Sequence, residues 1–148
     1  MKVYLGTDHA GFELKEKVKS YLKQNGYEVE DCGAYEFDKN DDYPDFISKA
    51  AQKTANDLNS KGIVFGKSGA GECIVANKTK GIRAVLGFNE ENVELSRLHN
   101  DANVLSLGSA FVDENKALEL VKIFLETQFS NEERHKRRIN KITQIENK

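Results

Sequence analysis

Ser68 and Glu72 stand four residues apart in the run from Lys61 to Lys78, KGIVFGKSGAGECIVANK. The run opens as a short apolar strand, turns through Gly66, Gly69 and Gly71, and leaves on a helix whose first turn carries Glu72. Backbone N–H groups in such a turn gather around an anion, here with one carboxylate fixed beside it. Asp8 and His9, in Thr7-Asp8-His9-Ala10-Gly11, follow a second apolar run near the start of the chain. If both segments face one crevice, a histidine, two carboxylates and a hydroxyl surround a loop of N–H donors. That set suits moving a proton next to a carbonyl: a base, a cradle for an enediolate, and a second acid or base at the oxygen end.

Simpler readings exist for each part. A glycine-rich turn need only connect a strand to a helix, and a carboxylate in a first helical turn need only complement the helix dipole. The pairing of Ser68 and Glu72 across from Asp8 and His9 asks for more than a turn. The same N–H donors would lower the pKa of Glu72, whereas a base working near neutrality needs it raised, so burial or loss of water must compensate. Cys73 is a rival nucleophile, but it lies about 100° around the helix from Glu72. Cys32 and Cys73 are expected as buried structural thiols, with no spacing that suggests zinc or a disulfide framework. Nucleotide motifs fail: a P-loop needs glycine where Lys61 stands, and a dinucleotide fingerprint needs it where Ile74 stands.

The elements that must position these residues follow from periodicity. Val3 to Leu5 reads as a strand and Phe12 to Leu22 as a helix ended by Asn25-Gly26. Tyr27 to Asp31 alternates as a strand, Ala34 to Tyr43 is a polar loop, and Pro44 starts a helix through Ala55. After the central run come a strand at Ile82 to Leu86, a helix from about Glu90 to His99, and a strand at Val104 to Leu107. A helix through Ala117 to Leu125 and a basic helix from about Asn131 finish the chain. Strand and helix alternate five times, so the spacing predicts an α/β, three-layer Rossmann-like domain. It has a five-stranded parallel sheet, helices on both faces and a C-terminal basic helix. Ligands of such folds bind beyond the carboxyl ends of the strands, where Asp8, His9, Ser68 and Glu72 all fall.

The 148 residues suffice for one domain and one core, with roughly 68–70% of the unfolded surface buried at this size. Apolar content of 39% with no long apolar window argues against a membrane span. The N-terminus lacks an export pattern, so the cytoplasm is the expected compartment. A formal net charge of -2 removes the global electrostatic case for a nucleic-acid or membrane partner. A local basic site remains. In Arg134-His135-Lys136-Arg137-Arg138, Arg134 and Arg138 share a helix face and could hold a phosphate by forked hydrogen bonds, although a solvated face is equally compatible. His99 closes its helix at the sheet edge opposite Glu72. If His99 acts chemically, it serves a neighbouring subunit, which predicts a dimer with shared sites; as an alternative, it is a helix-end cation.

Five ordered motifs carry a family resemblance: DHAGFELK, DYPDF at Asp42 to Phe46, GKSGAGECIVANK, HNDANVLSLG at His99 to Gly108, and RHKRRI at Arg134 to Ile139. Together they resemble the type B ribose-5-phosphate isomerases, a family that includes galactose-6-phosphate isomerase subunits. The resemblance covers nearly the whole chain. It implies interconversion of aldose and ketose phosphates through a cis-enediolate without metal or organic cofactor. Many members carry a catalytic cysteine where this chain has Gly66, and the sequence is instead similar to the branch that uses a glutamate, here Glu72. By the same resemblance Glu72 moves the proton between C1 and C2, Ser68 assists at O1, and N–H groups of Gly69, Ala70 and Gly71 hold the enediolate. His99 with Asp8 opens the sugar ring, Tyr43 and Asn100 place the sugar, and His9, Arg134 and Arg138 hold the phosphate. Part of this set comes from the partner in a homodimer or tetramer. Ala110 departs from the pattern, since many relatives have a phosphate-binding arginine there. The substrate expected first is ribose 5-phosphate, then a hexose or tetrose phosphate; a non-catalytic sugar-phosphate binding module is the alternative class.

Overall fold

A computed structural model describes residues 1–148. The chain runs β1 (Lys2–Thr7), α1 (Phe12–Gln24), β2 (Glu28–Asp31), α2 (Tyr43–Ala55), β3 (Ser60–Gly66) and α3 (Ala70–Asn77). It continues through β4 (Ala84–Leu86), α4 (Glu90–Asn100), β5 (Val104–Gly108), α5 (Glu114–Glu126) and α6 (Glu133–Glu146). The five strands form one sheet in the order β2-β1-β3-β5-β4, and every pairing is parallel.

Side chains alternate across a strand, and the central strands show it cleanly. Val3, Leu5, Ile63, Phe65, Leu105 and Leu107 point to one face, where α1, α4 and α5 cover them with Leu14, Val18, Val93, Leu120 and Phe124. Tyr4, Val64 and Val104 point to the other, beneath Ile47, Ala50 and Ala51 of α2 and Ala76 of α3. Burial on both faces explains why β3 reads as a continuous apolar run at Ile63 to Phe65 and why β5 is buried throughout, Ser106 included.

The expected elements are present, with three adjustments. β4 begins at Ala84 rather than Ile82, because the Ile82 N–H closes a turn onto Thr79 and the Arg83 N–H donates to the Asn103 side chain. The last helix begins at Glu133 rather than Asn131. Asn131 adopts a left-handed φ of 61°, and Ser130 Oγ accepts from the Glu132 N–H. Cys32 is buried as expected, its thiol pushed up to about 11 by burial, but Cys73 is only half-buried on the flank of α3. Its Sγ lies 3.5 Å from the Ala84 carbonyl oxygen, against the thin edge strand β4, which is too short to cover it.

One buried charge ties α1 to β2. Lys15 is fully buried and donates to Asp31 at 2.8 Å and to the Ala34 carbonyl. Burial alone would raise the Asp31 carboxyl, but Lys15, the Gly33 N–H and Lys19 hold it below its ordinary value. No helix is long and apolar enough to cross a membrane.

Candidate active site

β1 pairs with β2 on one side and β3 on the other, so the direction in which successive strands are added to the sheet switches between β1 and β3. A crevice opens at their carboxyl ends, as topology dictates for an open parallel sheet. Asp8 leaves β1 with its side chain turned back: Oδ1 accepts from the N–H groups of Ala10 at 3.0 Å and Gly11 at 3.2 Å. That turn is tight because Gly11 lies against Phe65 and the Gly66 nitrogen, with no room for a Cβ.

The loop after β3 is stapled to the end of β5. Ser109 and Ala110 N–H groups donate to the carbonyls of Gly66 and Lys67, and Ser106 Oγ donates to that of Gly69. Gly69 has φ +81°, in the left-handed region that favours glycine, and caps α3. The first turn of α3 leaves backbone N–H groups without intrahelical partners. Ser68 lies exposed on this loop, its Oγ accepting from the Ala70 N–H at 3.2 Å. Tyr43, at the start of α2, lays its ring over Gly71, where a Cβ would strike it.

Glu72 is only 4% exposed. Burial pushes its carboxyl up, the N–H donation at its own residue pulls it down, and nearby Asp8 pushes it up further; the net direction is upward. The conflict between N–H donors and a usable base therefore resolves in favour of burial. The carboxylate lies over Gly66, so that a Cβ built on residue 66 would overlap it. The volume a side chain at 66 would occupy is filled by the side chain of residue 72. Cys73 is a poorer nucleophile, since burial and the Glu72 charge both raise its thiol.

His99, Asn100, Arg134 and Arg138 gather elsewhere. α4 ends directly before β5 starts, so its last residues lie at the amino ends of the strands. Five residues of β5 at ~3.3 Å each separate that edge from the Glu72 edge by roughly 16 Å. The Asn100 carbonyl accepts from Arg83 at 2.8 Å. The His99 ring stacks at 4.4 Å on His135, at the start of α6. Arg134 and Arg138 are exposed on that helix, Arg134 paired with Glu132 at 3.2 Å. The sequence-derived site thus divides into two clusters at opposite sheet edges, as the position of His99 required.

Two residues escaped the sequence reading. His135 is 3% exposed beneath His99, held by Ser130 at 3.0 Å, and burial followed by the nearness of His99 lowers its pKa. Its signal was faint, the single i, i+4 pair of His135 with the partly buried Ile139 inside a run of charges. Asp41 contacts His9 from the polar loop before α2, a segment with no periodicity to read. One ligand atom each from Asp8, His9 and Asp41 fall within 4.8 Å of one another. Asp8 Oδ1 is occupied by two backbone N–H groups and Asp41 Oδ1 by His9, so the trio is tied up in hydrogen bonds.

The whole chain has counterparts among known proteins. The chain is 44% identical over 146 residues to ribose-5-phosphate isomerase B of Mycolicibacterium paratuberculosis, covering 99% of this chain and 92% of that one. It is also 44% identical to the Mycobacterium tuberculosis protein of the same name, with 99% and 90% covered. The solved ribose-5-phosphate isomerase B of Mycoplasma genitalium, with bound ribulose 5-phosphate, superposes with a TM-score of 0.95 at 38% identity, covering 99% and 97%. That of Clostridium thermocellum gives 0.93 at 41%, covering 99% and 98%. With the ribose/galactose isomerase family model also matching residues 3–142, this chain belongs to the ribose/galactose isomerase family.

Proposed function

We propose that the protein is an aldose–ketose isomerase interconverting ribose 5-phosphate and ribulose 5-phosphate through a cis-enediolate, with Glu72 as the base. The observation that carries the base assignment is the buried Glu72 carboxylate, raised in pKa and filling the space above Gly66. A carboxylate whose pKa moves toward the working pH takes a carbon-bound proton with more driving force, while its ionised form stays accessible. The proton leaves C2 of the open-chain aldose for Glu72 and returns to C1, giving the ketose. Negative charge develops on the oxygens of the enediolate, where the N–H groups of Gly69, Ala70 and Gly71 stabilise it, and Ser68 gives its hydroxyl proton to O1 and is reprotonated by the proton that leaves O2. Tyr43, lying over Gly71, closes the crevice and helps place the sugar.

Ring opening is assigned to His99 with Asp8, sugar placement also to Asn100, and the phosphate to His9, Arg134 and Arg138. Because the His99 cluster lies at the other edge of its own sheet, it completes the crevice of a second copy in a homodimer or a tetramer built from such pairs. The same second copy would cover Ile142 and Ile145, which α6 leaves 46% and 67% exposed. The reaction uses neither metal nor organic cofactor, and the cytoplasm is its proposed compartment.

Glu72→Gln removes the base while keeping size and packing. Expected is a loss of turnover of about 10²–10⁴-fold with substrate binding still measurable by calorimetry. Near-wild-type turnover would remove Glu72 as the base. With Ala110 offering no guanidinium after β5, a panel of four-, five- and six-carbon aldose phosphates decides the substrate; ribose 5-phosphate is expected to have the highest kcat/KM.

A further inference from the structure

His9 is the one phosphate-binding residue proposed for the Glu72 edge of the sheet, and everything charged around it is acidic. Asp8 precedes it, Asp41 touches it, and Asp38 lies close enough to act on it. The remaining neighbour is the Phe37 ring, set edge-on at 6.1 Å. A phosphate dianion meeting this corner would find only carboxylates unless the imidazole carries its second proton. The two arginines of the other cluster sit on a different edge and do not alter that local balance.

Asp41 supplies the missing control. Its side chain is only 8% exposed, although it comes from an irregular loop. Oδ1 accepts twice from one residue: from the His9 backbone N–H at 3.0 Å and from Nδ1 at 2.7 Å. Oδ2 is buried with no hydrogen-bond partner within the chain, so the carboxylate's attachments are concentrated on His9. A carboxylate offers only acceptors, so Nδ1 carries a hydrogen and Nε2 is the nitrogen left for a ligand. The His9 side chain is 33% exposed, so the ring is within reach of a ligand from solvent. The bond to Asp41 is the foremost cause holding His9 above its ordinary pKa, against an opposing contribution from burial, with Asp8 adding to the rise.

From this geometry we infer that Asp41 is a positioning residue for substrate recognition: it fixes the ring of His9 and keeps it cationic, so that Nε2 donates a charge-assisted hydrogen bond to the phosphate. The inference rests on the assignment of His9 to the phosphate end of the site. It gives the loop between β2 and α2 a part in selecting phosphorylated over unphosphorylated sugars. The sign of the pH effect follows. His9 is raised, so its grip is complete at low pH and fades as pH climbs through the raised value. Removing Asp41 moves that fading to lower pH.

The test uses the intact protein and two variants, Asp41→Asn and Asp41→Ser, with melting curves to show that at least one folds. Inorganic phosphate serves as probe while the imidazole resonance of His9 is titrated by NMR, and KM and kcat are measured across pH. In the wild type, His9 titrates above its ordinary range and its resonance shifts on adding phosphate. In the variants the His9 titration moves down, phosphate affinity weakens about tenfold, KM rises about tenfold and kcat changes less than about threefold. An unchanged His9 titration with unchanged phosphate affinity in a folded variant would reduce Asp41 to a loop staple and overturn the inference. No response of wild-type His9 to phosphate or to substrate would overturn it at a different point, by removing His9 from the phosphate end.

Discussion

Glu72, the base proposed above, is buried, and burial of an ionisable group works against the fold that buries it. The structure raises its carboxyl above the ordinary 4.5. Stability is therefore fullest while Glu72 is protonated and is lost as pH rises through the raised value, because the ionised form is better solvated unfolded. Glu72→Gln removes that loss. The inactive variant should melt higher than the wild type at neutral pH, by roughly 2–4 °C per kcal/mol relieved, and the difference should shrink toward pH ~4. Melting curves across that range check it, and equal curves at all pH values would mean that Glu72 is not held under strain by its surroundings. At this scale the sequence was informative where residue type and strand-end position coincide, as for Asp8, His9, Ser68 and Glu72. It could not tell which way the Glu72 pKa would move, because N–H donation and burial oppose each other and only packing sets the balance. Asp41 was invisible for another reason: loop residues acquire partners from chain path, and no period reports that.

Among the elements, α1 is tied to β2 and the loop after it by a buried charge. Lys15 is fully buried, and Asp31, 14% exposed, is its carboxylate partner. Lys15→Met removes the buried cation while Lys19 and the Gly33 N–H stay on Asp31, so it should cost about 1–3 kcal/mol in chemical denaturation. The pH sign is opposite to that of Glu72. Asp31 is held below its ordinary value, so its contribution is present above that value and is lost as pH falls through the depressed one. Wild type and Lys15→Met should therefore converge in stability in acid. The sequence gives no hint of this pair, since Lys15 reads as one more lysine on an amphipathic helix. The strands were legible because buried parallel strands leave unbroken apolar runs, and β4 was overextended because side chains of Asn77 and Asn103 take over the backbone at its start.

For the whole molecule, the separation of Glu72 and His99 by the length of the strands makes a quantitative prediction. Glu72→Gln and His99→Asn chains are each expected to be inactive alone. Mixed under conditions that exchange subunits, half the dimers become hybrids, and in each hybrid one site draws an intact Glu72 from one chain and an intact His99 from the other. Activity should return to about a quarter of the wild-type value. No recovery from verified hybrids would place both residues in a site made within one chain. Fold class was readable from alternation alone, while the split of the site needed the direction of α4, which topology supplies and composition does not. The overlap between residues 66 and 72 also constrains how such a protein could change over time. A carboxylate at 72 and a side chain at 66 exclude each other, so neither position can change freely by itself: Gly66→Cys would displace the Glu72 carboxylate, and shortening Glu72 would leave a void over Gly66. With Glu72 as the proposed base, a lineage exchanging it for a side chain at 66 must cross an impaired intermediate or make both changes together, which makes these two positions a ratchet.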